Sequence, residues 1–199
     1  MTTDAGGTAS DEYAQRLRRL EGARWKRALD VQRPYRWYLR RLQPGFVLDV
    51  GCGIGRNLAH LDGHGVGVDH NPASVATCRE RGLTAFTADE FAGTDHARPE
   101  TFDALLCSHV VEHMTAAEAR VLLAAYLPYV KAAGRVILVT PQERGFASDA
   151  THVEFADFAF LEALAADLGL VVDTRRSFPF PRTVGKVFAY NEFVVVAHR

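Results

Sequence analysis

The sequence predicts an α/β domain in which a seven-stranded, mostly parallel sheet lies between two layers of helices and its last strand runs antiparallel. Three observations predict it. Short apolar runs alternate with helical patterns from Phe46 onward, the mark of crossover units and a parallel sheet. The first run leads straight into a glycine-rich turn, Gly51-Cys52-Gly53-Ile54-Gly55. The last two runs, at 170–177 and 192–198, lie about fifteen residues apart with no helical pattern between them. Such a connection suits an antiparallel pair better than another crossover.

With 199 residues, 48% of them hydrophobic, the chain can bury one sizeable core. A net charge of −1 offers no global electrostatic case for nucleic acid. Charge is nonetheless uneven, because residues 16–41 hold ten Arg or Lys against two acids, Glu21 and Asp30. A solvated amphipathic helical face accounts for this, and steering of an anionic substrate is the alternative. Cys52, Cys78 and Cys107 stand far apart without a CxxC pair, so neither a disulfide framework nor a zinc knuckle is suggested. The N-terminal MTTDAGGTASDE lacks the basic-then-apolar order of a signal peptide, and no apolar run approaches the ~20 residues that span a bilayer. A cytoplasmic protein, monomeric or homodimeric and free of membrane, is the expectation.

Taken in order, residues 1–10 are small and polar and read as disordered. Residues 11–45 read as a helical lid ahead of a core at 46–199, with a break near Pro34 because proline disfavours helical geometry at Arg33. A buried strand is expected at 46–50, a helix at 57–61 and a second strand at 65–69. Asn71-Pro72 predicts a helix start, with an Asn cap and proline at the first helical position, and Gly82 stops that helix after Arg81. Strands follow at 83–87 and 102–107, then a long helix at 116–130. Gly134 turns the chain into a fifth strand at 135–140, and a helix at 158–168 ends at Gly169 before the closing pair.

In an open parallel sheet, ligands bind beyond the carboxyl ends of the strands where strand order reverses, so the glycine turn marks a site. A dinucleotide fingerprint would read G-x-G-x-x-G, but here the third glycine comes one residue early and Arg56 takes its place. Asp49, two residues before the first glycine, would repel a pyrophosphate; it suits a cationic amino-acid group. Asp69 ends the second strand, where an acid can accept from both hydroxyls of a ribose. Asp89, in TADEF, is placed to accept from an exocyclic adenine amine. Together these acids describe a nucleoside with a cationic amino-acid tail and no phosphates, which is S-adenosylmethionine.

LDVGCGIG, GVGVDHNP, TADEF, FDALLCSHVVEHM and LPYVKAAGRVILVTP resemble, in order and spacing, the motifs of the class I S-adenosylmethionine-dependent methyltransferases. The resemblance spans roughly residues 46–141 and implies a Rossmann-like three-layer sandwich. It implies that Asp49, Gly51, Cys52, Gly53 and Gly55 form the cofactor turn, that Asp69 holds the ribose and Asp89 the adenine. His70 and Glu90 would line the adenine pocket, and Ser108 would border the methionine end.

SHVVEHM follows the fourth strand, where such enzymes place the acceptor, and His152 lies beyond the fifth. His109, His113 and His152 are the candidate catalytic residues, since a hydroxyl acceptor gains from losing its proton to an imidazole. A structural use also fits: Glu112 and His113 would then anchor the loop and the helix after it. The stretch is similar, too, to the Glu-x-x-Glu-His pattern of the ubiquinone-pathway O-methyltransferases and to the small-RNA 2′-O-methyltransferases, which add a later histidine. In those families the cluster holds a divalent ion; here His109 replaces the first Glu, which favours zinc or manganese over magnesium if any metal binds. A metal is the less favoured use. Trp25, Lys26, Tyr35 and Trp37 are candidate lid residues, and Arg182 and Lys186 in FPFPRTVGKVFAYN candidate pocket walls. No Asn-Pro-Pro-Tyr-like motif follows the fourth strand, which disfavours methylation of nucleic-acid bases. A small-molecule acceptor methylated on oxygen, less readily nitrogen, is expected. An RNA-terminal or protein acceptor, an inactive cofactor-binding subunit and a nicotinamide dehydrogenase are the alternatives.

Overall fold

Strands β1 (Val47–Val50), β2 (Gly65–Asp69), β3 (Ala85–Thr87), β4 (Phe102–Ser108), β5 (Val130–Pro141), β6 (Val171–Phe178) and β7 (Glu192–His198) form one sheet in the order β3-β2-β1-β4-β5-β7-β6. The first five are parallel, and β7 alone is reversed, pairing antiparallel with both β5 and β6. The structure, a computed structural model, describes residues 32–199. The tail at 1–10 and most of the lid, including Trp25 and Lys26, lie outside the described residues.

The central strands read as unbroken apolar runs because both faces are covered. Leu48, Val50, Val68, Leu105, Leu138 and Phe193 point to one face, against Leu123 of α5 (Ala116–Tyr126) and Leu161 of α7 (Phe158–Asp167). The alternate residues Val47, Leu106, Ile137 and Val194 point to the other, against Leu39 of α1 (Arg33–Arg41). Asp49 follows this alternation onto the face that α1 covers. Helices α2 (Arg56–His60), α3 (Pro72–Glu80), α4 (Ala88–Ala92) and α6 (Glu143–Phe146) complete the crossovers.

Several boundaries move for physical reasons. The helix expected at 116–130 ends at Tyr126, because Pro128 cannot extend an α-helix, and 127–129 form a 3-10 turn. Strand β5 begins at Val130 rather than Arg135, because β4 re-registers against it between Phe102 and Ala104 and the intervening residues bulge out. The third strand starts at Ala85, since the Leu83 N–H donates to the Cys78 C=O and belongs to the end of α3. Helix α4 was hidden in TADEF, where Thr87 and Glu90 form a capping box.

Candidate active site

From β1 the chain departs toward β2 and β3, and from β4 toward β5, so a crevice opens beyond the carboxyl ends of β1 and β4. The Gly51 and Cys52 N–H groups both donate to the Val68 C=O, at 2.7 and 3.1 Å, folding the turn over the end of β2. Gly51 has φ +74°, and a β-carbon there would lie 2.3 Å from Val110 Cγ2. Only glycine meets both demands. Gly53 lies within the turn, and Gly55, also left-handed, starts α2. Contact with the Cys78 thiol, together with burial, pushes the Cys52 thiol far above its usual range, so it fills space and is no nucleophile.

Asp49 is fully buried, and neither carboxylate oxygen closes a regular hydrogen bond among the described residues. Burial pushes its pKa up to about 7, with the Asn57 side chain and Arg56 offsetting part of the rise. A buried carboxyl left so short of donors fits the cationic group of a ligand. Asp69 is held differently: Gly53 N–H donates to Oδ2 at 2.8 Å and Asn71 N–H to Oδ1 at 2.9 Å. One carboxylate thereby ties the glycine turn to the end of β2, and each oxygen keeps a lone pair. Asp69 does not cap α3, because the Asn71 side chain accepts from Ala73 and Ser74. His70 is exposed, its Nδ1 3.6 Å from Asp69.

Asp89 is exposed in the first turn of α4 and takes no part in its cap. Glu90 is committed elsewhere, accepting from the Thr87 N–H and from Arg79, each at 2.8 Å. Those bonds hold its carboxyl below the usual range. Ser108, half-buried, closes β4 opposite Val139.

Past Ser108 the chain turns sharply. His109 has φ +58°, held by its N–H on the Val139 C=O at 2.9 Å and by a carboxylate at each ring nitrogen. Nδ1 lies 3.2 Å from Glu112 Oε1, and Nε2 2.9 Å from Glu192 Oε1. Burial alone would lower its pKa, but the two carboxylates outweigh that and hold it up to about 9. His109 is therefore an imidazolium at neutral pH with neither nitrogen free to take a proton. Glu192 is the site residue that sequence reasoning missed; its only signal is an acid placed directly ahead of the apolar run FVVVA.

Two loops meet through the backbone of Glu112, whose C=O accepts from the Val153 and Glu154 N–H groups at 2.7 and 3.2 Å. This brings His152 to His113, with ring centroids 4.8 Å apart. His113 Nδ1 lies 3.2 Å from the Thr151 C=O, and His152 Nδ1 2.7 Å from the Phe146 C=O. Burial pushes the His113 pKa down, the nearby Glu112 and Thr151 opposing it. Glu112 is fully buried, and its Oε2 has no partner among the described residues. The four-residue group expected from the sequence is thus divided. Glu112, His113 and His152 gather, and His109 turns to Glu192.

The connection from β6 to β7 is pinned beside them. Arg182 pairs bidentately with Glu143 at 2.7 and 2.5 Å, and Gln142 donates to Ser177 Oγ and to the Glu192 C=O, each at 2.8 Å. Arg182 is thereby committed to a structural pair. From α1, the Tyr35 hydroxyl donates to the Tyr190 C=O at 2.5 Å and Tyr38 stacks on Phe178, whereas Trp37 is exposed.

The seven-stranded sheet thus carries a glycine turn at its switch point, an acid inside β1 and another at the end of β2. Residues 47–134 match a family model described as a methyltransferase domain. Over that stretch the chain is similar to the class I S-adenosylmethionine-dependent methyltransferases, whose fold it shares. No curated protein matches the chain. Among solved structures, it is similar to a possible histamine N-methyltransferase from Thermotoga maritima, with 15% identity, a TM-score of 0.70, and coverage of 94% of this chain and 97% of that one. A putative methyltransferase from Haloferax volcanii, in complex with the Trm112 methyltransferase activator, gives 18%, 0.69, and 94% of each chain. Magnesium protoporphyrin IX methyltransferase from Synechocystis, with bound SAH, gives 17%, 0.65, and 96% of each chain. At these identities the likeness establishes the fold. No helix among the described residues is long and apolar enough to cross a membrane.

Proposed function

We propose that the protein transfers the methyl group of S-adenosylmethionine to an oxygen of a small-molecule acceptor, with nitrogen as the lesser alternative. The observation that carries this is the seat of Val110 against Gly51, which sets the histidine–carboxylate loops beside the cofactor turn. The cofactor supplies a methyl group on a sulfonium, a good leaving group. Asp49 and the turn through Gly51, Gly53 and Gly55 would receive its amino-acid end, with Ser108 bordering it. The lone pairs that Asp69 retains suit the ribose hydroxyls, and Asp89, free of capping duty, suits the adenine amine. Glu90 supports that pocket through Thr87 and Arg79 rather than through the ligand, and His70 stands at its rim.

At the acceptor end an O–CH3 bond forms as the S–CH3 bond breaks, and the hydroxyl proton leaves. His109 holds its ring charged and spans two carboxylates, so its part is to fix the loop. The Nε2 atoms of His113 and His152 lie outside their backbone bonds and are the candidate proton acceptors. Labelled methyl transfer to panels of hydroxyl and amine compounds tests this reading, with calorimetry for S-adenosylmethionine alongside. Cofactor binding with transfer only to protein or RNA would replace the acceptor assignment.

A further inference from the structure

Glu112, His113 and His152 combine three observations that a proton relay alone does not explain. One ligand atom from each lies within 4.8 Å of those from the other two. Glu112 Oε2 is buried without a partner among the described residues, an uncompensated position for a carboxylate oxygen. Both imidazoles also direct Nδ1 at a backbone carbonyl, Thr151 for His113 and Phe146 for His152. A carbonyl can only accept, so Nδ1 carries the proton in each ring and Nε2 presents its lone pair. That pattern, with the far nitrogen donating to a carbonyl, fixes the tautomer of metal-ligating histidines.

We propose that Glu112 Oε2, His113 Nε2 and His152 Nε2 form a three-ligand site for a divalent ion at the acceptor end. His109 is outside the set, because Glu112 Oε1 and Glu192 occupy its two nitrogens. It acts as an outer support that orients the Glu112 carboxylate through Oε1 and leaves Oε2 uncommitted among the described residues. In a tetrahedral site with bonds of ~2.0–2.1 Å, ligand atoms stand ~3.4 Å apart, so from a cluster whose ligand atoms lie within 4.8 Å the side chains must rotate to close on an ion. Two imidazoles and one carboxylate select a borderline ion such as zinc, cobalt or manganese over magnesium or calcium. Three protein ligands leave open positions, as in a catalytic site rather than a closed structural one. A bound ion there would polarise an acceptor oxygen. The proposal rests on the methyltransferase reading for its place beside the acceptor; with an ion bound the two Nε2 atoms are ligands, and only in the ion-free protein are they open to accept a proton.

Tag-free full-length protein, stripped with chelator and dialysed, is titrated with cobalt followed by its visible absorption and with zinc by calorimetry. One equivalent is expected, with micromolar or tighter affinity and nitrogen-ligand absorption for cobalt. His152→Ala and Glu112→Gln should each weaken it at least tenfold, and His198→Ala, on the opposite end of β7, should leave it unchanged. S-adenosylmethionine affinity is measured on the same samples, so the two readings fail separately. Absence of binding, or binding that survives both substitutions, overturns the site while leaving the cofactor assignment intact. Should His152→Ala fail to fold, Glu112→Gln and His113→Gln decide by the same criterion.

Discussion

The two halves of the crevice are built by different means. At the ends of β1 and β2 the protein uses backbone: a turn in left-handed geometry whose N–H groups reach Val68 and Asp69, with every part drawn from one short stretch around residues 49–71. Beyond β4 and β5 it uses side chains brought together from two loops, His109 to His113 and His152, and from Glu192 at the start of β7. A backbone site tolerates little change, because neither φ nor the space beside Gly51 can be substituted. A side-chain site can be re-equipped one residue at a time, and the acceptor end is where a methyltransferase fold must vary to change substrate.

If the first half is a backbone device, a β-carbon at Gly51 should do the largest damage in the molecule. Gly51→Val combines a left-handed φ, costing ~1–2 kcal/mol, with a 2.3 Å overlap on Val110, for which overpacking costs a further ~1–3 kcal/mol. Denaturant unfolding should show a loss of several kcal/mol, and calorimetry no measurable cofactor binding. Near-normal binding would show that the turn is not the cradle. Asp69→Ala comes next. It removes the acceptor for Gly53 N–H and the proposed ribose contact, and at ~1.5–3 kcal/mol for a charged hydrogen bond it should weaken cofactor binding at least tenfold. Unchanged affinity refutes the ribose assignment.

The same contrast explains what could be read from the sequence. The glycine spacing, Asp49, Asp69 and the Asn71-Pro72 cap are contiguous, and each has a local physical meaning, so the turn and its neighbouring acids could be singled out, along with a mostly parallel sheet whose last strand is reversed. The Asn71 cap expected from the sequence is the one observed, its side chain accepting from Ala73 and Ser74. The capping role of Glu90 was not legible, because a capping box is silent until the helix it starts is recognised. The acceptor half was only half legible: SHVVEHM announces itself, but the partition of His109 from His113 depends on Glu192, 83 residues away, and on a C=O of Glu112 that no side-chain pattern encodes.

Asp49 sharpens the first half through pH. Its carboxyl, held up to about 7 by burial, is raised above the unfolded value of 3.8, so its contribution to stability is fully present below 3.8 and is lost as pH rises to 7. Charging it in the free protein costs on the order of 4 kcal/mol. A cationic ligand group beside it offsets that cost, so cofactor affinity should rise about tenfold between pH 6 and pH 8, following ionisation of one acid. Asp49→Asn should flatten the profile. A profile equally steep in that variant would assign the proton to another group.

The smallest effect tests whether the halves are separable. Glu192→Gln keeps an oxygen for His109 Nε2 at the position now 2.9 Å away but removes one of the two charges that hold the ring. Its backbone stays in place, because the C=O of Glu192 accepts from buried Gln142 and the residue pairs with Pro141 in β5. Global stability should fall by ~1–2 kcal/mol, the worth of a charge-assisted hydrogen bond weakened rather than lost. Cofactor affinity should stay within twofold, since Glu192 joins none of the turn's hydrogen bonds, whereas turnover with an acceptor should drop several-fold as the His109–Glu112 support loosens. Restoration of turnover by Glu192→Asp, which returns the charge on a shorter arm, would show that charge and not shape holds the loop. A parallel fall in cofactor affinity would mean that Val110 transmits the change to Gly51, and the two halves would then have to be treated as one site.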